Sequence, residues 1–348
     1  MNRAFDSLNP PSLEEVVAKV KKMKKDSAGG FTELSYNMLK HAPEEYMIRL
    51  QQCIAWMWKE QETPAHWKLR WLAPIGKVPG TVNIEETRPL MLLEVGRKLL
   101  QGLMMDRLLP IWERHQLLSH QAHGAIRGKG THTATMEFLN VLEEVEMAGA
   151  SVYTSSWDWR HAFDSLSSVI KMLAWHRGGL PPGAIELLEQ LDRGNRTVPR
   201  TPFAAAYAKH QDWAAHHVDA EPGPQRVDSF EAERGDCQGA PPSAIHWIIF
   251  FDILNRAMEI EARQEIYLRT SGWTLQKAQD VAFVDDLQSV APTMSALQGK
   301  ADIVSAFAIV MGMELSIKKL RFLVAHYGEN DSGREERERR EEEGLGTE

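Results

Sequence analysis

The sequence predicts an α+β fold, a small set of antiparallel strands backed by helices, and three observations carry that expectation. Residues 151–158 form a short run rich in β-branched and aromatic side chains that ends on Asp158. Residues 280–291 alternate as a hairpin does, with Asp285 and Asp286 presented at its turn. Around these strands lie stretches whose apolar residues recur with a helical period.

Taken in order, Ser12-x-x-Glu15 is a capping box that opens a helix over 12–25, with Leu13, Val16, Val17, Val20 and Met23 on one face. The run Asp26-Ser-Ala-Gly-Gly30 breaks it. A second helix around 43–61 places Tyr46, Met47, Leu50, Ile54, Met57 and Trp58 on one side and stops at Pro64. Residues 70–75 read as a strand, 76–84 as a turn or hairpin tip, and 90–116 as a long helix or a broken pair. Residues 131–147 form an amphipathic helix with Met136, Leu139, Leu142 and Val145 on its apolar face. After the strand at 151–158, helices are expected from about Ser165 and over 181–191. Residues 195–233 hold Pro199, Pro202, Pro222 and Pro224 with no sustained period, which reads as an irregular insertion. A strongly apolar helix spans 241–260, another spans 294–311, and a final strand pair lies near 314–325.

The 348 residues, 43% hydrophobic, suffice for one large or two modest domains with a substantial core. Two cysteines, Cys53 and Cys237, supply neither a zinc-thiolate cluster nor a disulfide framework, so a reducing, intracellular compartment is expected, nucleus and cytoplasm being equally open. The N-terminus has no apolar signal core, and the longest apolar run, 244–254, is interrupted by His246 and Asp252 and reads as a buried helix, so no membrane partner is expected. A net charge of −8 speaks against a nucleic-acid partner, but its distribution matters more. Residues 66–130 carry ten Lys and Arg against five acidic residues. The tail GREERERREEEGLGTE has four Arg and seven Glu without apolar period, and is expected to be a solvated or disordered end.

Phosphoryl transfer from a nucleotide calls for two Mg²⁺ ions roughly 3.5–4 Å apart. Hard cations take carboxylate oxygens, one or two per ion, with water and phosphate completing the shell. Asp158 and Asp285, expected on adjacent central strands, are placed to bridge both ions, with the backbone carbonyl of Trp159 as an added ligand and Asp286 auxiliary. Taken singly each feature is bland: an Asp-Asp pair is ordinary turn chemistry, and Asp164 reads as a helix N-cap. The order of an acidic strand end, a Gln-Gly loop leading to a helix, and an Asp-Asp hairpin is what a metal-dependent nucleotide polymerase needs.

At these residues the chain resembles a known family. Asp158-Trp-Arg-His-Ala-Phe163-Asp164, Gln238-Gly-Ala-Pro-Pro-Ser243 and Phe283-Val-Asp-Asp286 are similar to the three palm motifs of reverse transcriptases, most closely those of non-LTR (LINE-type) retrotransposons. Pro64-Ala-His-Trp67 through Lys77 and the segment 88–98 resemble the two fingers strands, 121–131 the Gly-rich segment, and 312–319 the palm segment after the hairpin. The resemblance implies a right-hand polymerase: an N-terminal helical segment over 1–66, fingers over 67–150, a palm over 151–325, and a tail over 326–348 with the thumb largely missing.

It further implies an RNA-directed DNA polymerase, a nucleotidyltransferase using two Mg²⁺ ions, or Mn²⁺ in their place, with Asp158, Asp285 and Asp286 as catalytic carboxylates. Phe163 stands where the family places its steric gate against ribose. Lys77 and Arg88 would contact the incoming triphosphate, Gln238 and Gly239 would line the nascent base pair, and Lys319 would donate a proton to pyrophosphate. The implied partners are an RNA template, a DNA primer or RNA/DNA hybrid, a dNTP, and endonuclease and thumb domains of a longer polyprotein. Cys237 departs from the pattern where a basic residue is common, Ala125-Ile126 where Phe-Arg is usual, and Leu320 where a hydroxyl residue is usual. A fragment or degenerate copy is therefore one form of this reading, and its alternative is a catalytically inactive module that binds RNA or protein. A viral-type RNA-dependent RNA polymerase would share the carboxylates, and Phe163 argues against it.

Overall fold

The computed structural model describes residues 9–25, 27–81, 83, 86–200, 229–231, 235, 240–261, 267–269, 275–277 and 280–327. In chain order the helices are α1 (Leu13–Lys22), α2 (Tyr36–Lys40), α3 (Glu44–Glu60), α4 (Val95–His115), α5 (Thr131–Met147), α6 (Ala162–Ser165), α7 (Ser168–Arg177), α8 (Pro182–Asp192), α9 (Ser243–Glu261) and α10 (Met294–Met311). The strands are β1 (Leu69–Gly76), β2 (Thr87–Leu92), β3 (Ser151–Trp157), β4 (Trp159–Arg160), β5 (Arg196–Pro199), β6 (Phe230–Glu231), β7 (Tyr267–Arg269), β8 (Leu275–Lys277), β9 (Val281–Phe283), β10 (Asp286–Ala291), β11 (Glu314–Leu315) and β12 (Arg321–His326). The class is α+β, as the sequence predicts. The chain divides into two compact units, 1–115 with 166–246 and 116–165 with 247–348.

In the first unit, Ser12 and Glu15 form the expected capping box, and Glu15 is also gripped by Arg107 of α4 at 2.8 Å. The Arg107 hydrogen bonds hold the Glu15 carboxyl below its ordinary range. Helix α4 is buried through most of its first three turns, including the charged Arg97 and Lys98. Fully buried Arg97 donates to the carbonyl of Trp67 at 3.2 Å, to Asn195 at 2.9 Å and to Asp192 at 2.7 Å. Buried charge persists only when paired in this way. Gly96 faces Trp67 so closely that a Cβ would lie 2.4 Å from the indole, which leaves room for glycine alone.

A sheet of order β2-β1-β5-β6 crosses this unit, with β1 and β2 antiparallel and β1 and β5 parallel. Two expectations change here. Residues 90–92 belong to β2, opposite Trp71, Leu72 and Ala73 of β1, so the helix expected over 90–116 starts only at Val95. A short apolar run does not distinguish strand from helix by period. The segment expected to be irregular over 195–233 contains β5, fixed by Leu69↔Arg196 through Leu72↔Pro199, and β6. The residues 201–228 lie outside those described, as does the tail from 328.

The second unit is built on a sheet of order β12-β3-β10-β9, antiparallel throughout. The expected terminal strand pair is two strands with separate partners: β11 pairs with β4, and β12 pairs with β3. Helices α5 and α10 pack on this sheet. Helix α10 is long and apolar enough to cross a membrane by length and composition. Its inward face holds Leu297, Val304 and Phe307, together with Lys300, which pairs with buried Asp280 at 2.6 Å. Asp280 also accepts from the amide of Val290 at 2.9 Å, so one carboxylate ties α10 to the mouth of β9 and to β10. In α5 the buried positions are Ala134, Val141 and Val145, whereas Met136 and Leu139, expected inside, are exposed.

Candidate active site

Strand β3 delivers Asp158 one residue beyond its end, and β10 begins on Asp286. The register Leu287↔Trp157 carries these two carboxylates to the same edge of the sheet. Phe283↔Asp286 closes the β9–β10 hairpin around two residues, Val284 and Asp285. The sequence places both aspartates in the turn; in the structure Asp285 is in the turn and Asp286 already in the strand. A two-residue hairpin loop asks for positive φ at its first position, where glycine or asparagine is usual. Here Val284 adopts φ 57°, a conformation that costs a β-branched residue on the order of 1–3 kcal/mol.

Two neighbours hold that turn. Trp247 in the first turns of α9 donates its indole N–H to the Val284 carbonyl at 2.5 Å. Gly124 lies against the other side, where a Cβ would sit 2.4 Å from a Val284 methyl and 2.8 Å from the Val284 amide nitrogen. Gly124 is brought there because its segment runs beside β9: Ala282 donates to Gln121 at 2.9 Å and His123 donates to Ala282 at 2.8 Å. The His123 ring is fixed in turn by Thr133 at 2.9 Å and Glu137 at 3.0 Å, both on α5. Burial opposes charge on Glu137, but His123 and Lys129 outweigh it and hold the carboxyl low.

The carboxylates feel one another. Burial pushes the Asp285 carboxyl up, its own amide opposes this, and the charges of Asp286 and Asp158 push it further up. Asp286 is raised by burial and by Asp158. Lys319, in the 3₁₀ turn Ile317–Lys319, opposes both shifts and pairs with Asp158 at 2.8 Å. The Asp158 carbonyl accepts from Ser316 at 2.8 Å, which fixes the backbone of this strand end against the turn bearing Lys319. Crowded carboxylates that resist ionisation fit a hard divalent cation in donor chemistry. Among the described residues, no group of three or more His, Cys, Asp or Glu side chains forms a metal-ligating cluster.

The other expected site residues lie on several elements. Phe163 is half-buried on α6 with its ring 5.6 Å from that of Trp247, and Asp164 lies within α6 rather than ahead of it as an N-cap. The Trp159 ring is buried against Phe251 and Phe307, and its backbone pairs with Leu315. Lys77 and Arg88 are exposed on the β1–β2 hairpin of the first unit, where the Lys77 amide donates to Glu86 at 2.7 Å. Gln238, Gly239 and Cys237 lie outside the described residues. Sequence reading missed Trp247 and Gly124: the indole sits in the unbroken apolar run 247–251, and the glycine in a segment already rich in glycine.

The sequence profile of the family described as "Reverse transcriptase (RNA-dependent DNA polymerase)" matches residues 77–343. Among solved structures, the chain is similar to apo telomerase from Candida Tropicalis truncated from its C-terminal domain, with a TM-score of 0.49 and 11% identity. That match covers 82% of this chain and 56% of the telomerase chain, so this chain spans little more than half the length of that structure.

Proposed function

Because the chain belongs to the reverse transcriptase family, we propose that it is an RNA-directed DNA polymerase of the non-LTR retrotransposon type, extending a primer 3′ end on an RNA template. The observation that carries the reading is the convergence of Asp158, Asp285 and Asp286 at one sheet edge, where burial and the charge of Asp158 oppose ionisation of Asp285 and Asp286. Mg²⁺, or Mn²⁺ in its place, would be held by Asp158 and Asp285, with Asp286 beside them and the Trp159 carbonyl as a further oxygen; bound there it supplies positive charge at the attacking and leaving oxygens.

The chain's own side chains do the rest. Phe163 places a flat ring under the sugar and excludes a 2′ hydroxyl, which selects deoxynucleotides. Lys77 and Arg88 supply a point charge and a bidentate fork for the triphosphate. Gln238 and Gly239 line the nascent base pair, the glycine because it permits close approach. Lys319 neutralises Asp158 at 2.8 Å and carries a proton suited to a departing pyrophosphate.

The test is primer extension on an RNA template with the four dNTPs. Templated incorporation that Asp285→Asn abolishes supports the reading, and equal incorporation by wild type and variant overturns it. A second reading, a non-catalytic module that binds RNA or protein, is favoured by the Lys319–Asp158 ion pair, which already satisfies one carboxylate. Salt-dependent RNA binding without synthesis is its signature.

A further inference from the structure

Trp247 touches both functional elements of the second unit. Its ring is fully buried and stands 5.6 Å from Phe163, while its N–H reaches the Val284 carbonyl of the carboxylate turn. Behind it, Phe250 and Phe251 pack at 5.5 Å each, so the indole has little freedom to rotate away. The turn it holds is one that Val284 disfavours, with φ 57°. A hydrogen bond to a carbonyl in that turn therefore acts where the backbone has most reason to relax.

We propose that Trp247 is a positioning residue that couples sugar selection to carboxylate placement: its ring sets Phe163, and its N–H sets the turn that bears Asp285. The proposal rests on the polymerase reading for the role of Phe163, and on geometry alone for the turn. The two functions are separable by substitution. Trp247→Phe keeps an aromatic face for Phe163 and removes the donor; Trp247→Leu removes both.

The experiment follows Mn²⁺ binding to the full chain by the electron paramagnetic resonance of free Mn²⁺, beside the ratio of dNTP to rNTP incorporation. Asp285→Asn serves as the reference for a damaged site. Loss of one hydrogen bond to a buried acceptor corresponds to roughly five- to tenfold in a binding constant. Trp247→Phe is expected to weaken Mn²⁺ by that factor and to keep sugar discrimination. Trp247→Leu is expected to weaken Mn²⁺ and also to lower discrimination toward that of Phe163→Val. Wild-type Mn²⁺ affinity in Trp247→Phe, at an unchanged melting temperature, overturns the proposal, as does wild-type discrimination in Trp247→Leu. Should Trp247→Leu fail to fold, Trp247→Phe decides the turn, and Trp247→Met, which also lacks the ring, takes the place of Trp247→Leu in the discrimination test. If the wild type incorporates no nucleotide, the polymerase reading fails, while the Mn²⁺ comparison still decides the turn.

Discussion

Gly124→Ala adds one carbon at the wall of the carboxylate turn. Gly124 is not at positive φ, so alanine meets no backbone penalty, and the effect is one of crowding. The new Cβ would stand 2.4 Å from the Val284 Cγ2 and 2.8 Å from the Val284 nitrogen. To regain an ordinary separation of about 3.5 Å, the methyl must recede by about 1.1 Å and the backbone nitrogen by about 0.7 Å. Val284 immediately precedes Asp285, so that displacement reaches the carboxylate. A misplacement near 1 Å in catalytic geometry costs about 100-fold in rate. Stability should change far less, because the alanine also restricts the unfolded chain by about 0.4–1 kcal/mol and offsets part of the strain. Single-turnover primer extension, with thermal unfolding measured on the same samples, separates the two effects. Loss of rate at nearly constant melting temperature is the expected result; a wild-type rate in Gly124→Ala refutes the argument that this glycine seats the turn.

Arg97→Met removes the cation from a network with Asp192, Asn195 and the Trp67 carbonyl, and urea unfolding should show a loss of about 3 kcal/mol. Asp285 and Asp286 are both raised in the folded protein, so the folded state binds more protons than the unfolded chain at the start of their titration. Their contribution to stability is therefore full below the ordinary Asp value of 3.8 and is lost as pH rises through the folded values. With chelator present, Asp285→Asn should flatten that part of the melting-temperature profile, and an identical slope in variant and wild type contradicts it. Phe163→Val should raise the incorporation of ribonucleotides relative to deoxynucleotides, and unchanged selection removes Phe163 from the gate.

The sequence carried the placement of the three aspartates further than it carried the surrounding fold. Asp158 at a strand end and the Asp285-Asp286 hairpin were legible because β-branched residues and strict alternation mark strands locally. Helices α5 and α10 were legible to the residue, since each keeps a helical period between clear stops. The buried face of α5 was not: it is lined by Ala134, Val141 and Val145, while the larger Met136 and Leu139 point outward, so size misled where packing decided. Strand β5 was hidden because Arg196-Thr-Val-Pro199 is too short to show a period and gains its identity from β1. The Lys319–Asp158 ion pair joins residues 161 positions apart, which no local pattern reveals. Val284 is the sharpest case, because local preference argues against the conformation that the hairpin imposes.

The β3–β10 pairing has a consequence for how the protein is made. The indole of Trp157 in β3 bonds Ser289 in β10 across 132 positions, and Thr154 reaches Leu323 in β12 across 169. Asp158 is thus synthesised long before its partners leave the ribosome, and at ordinary elongation rates of about 5–20 residues per second the nascent β3 waits on the order of ten seconds for β10. Through that interval a strand that is mostly buried in the folded protein has neither of its native neighbours, and non-local pairing of this kind is slow and exposed to aggregation. A nascent-chain binding factor would therefore act on this protein most strongly between the emergence of residue 157 and that of residue 291.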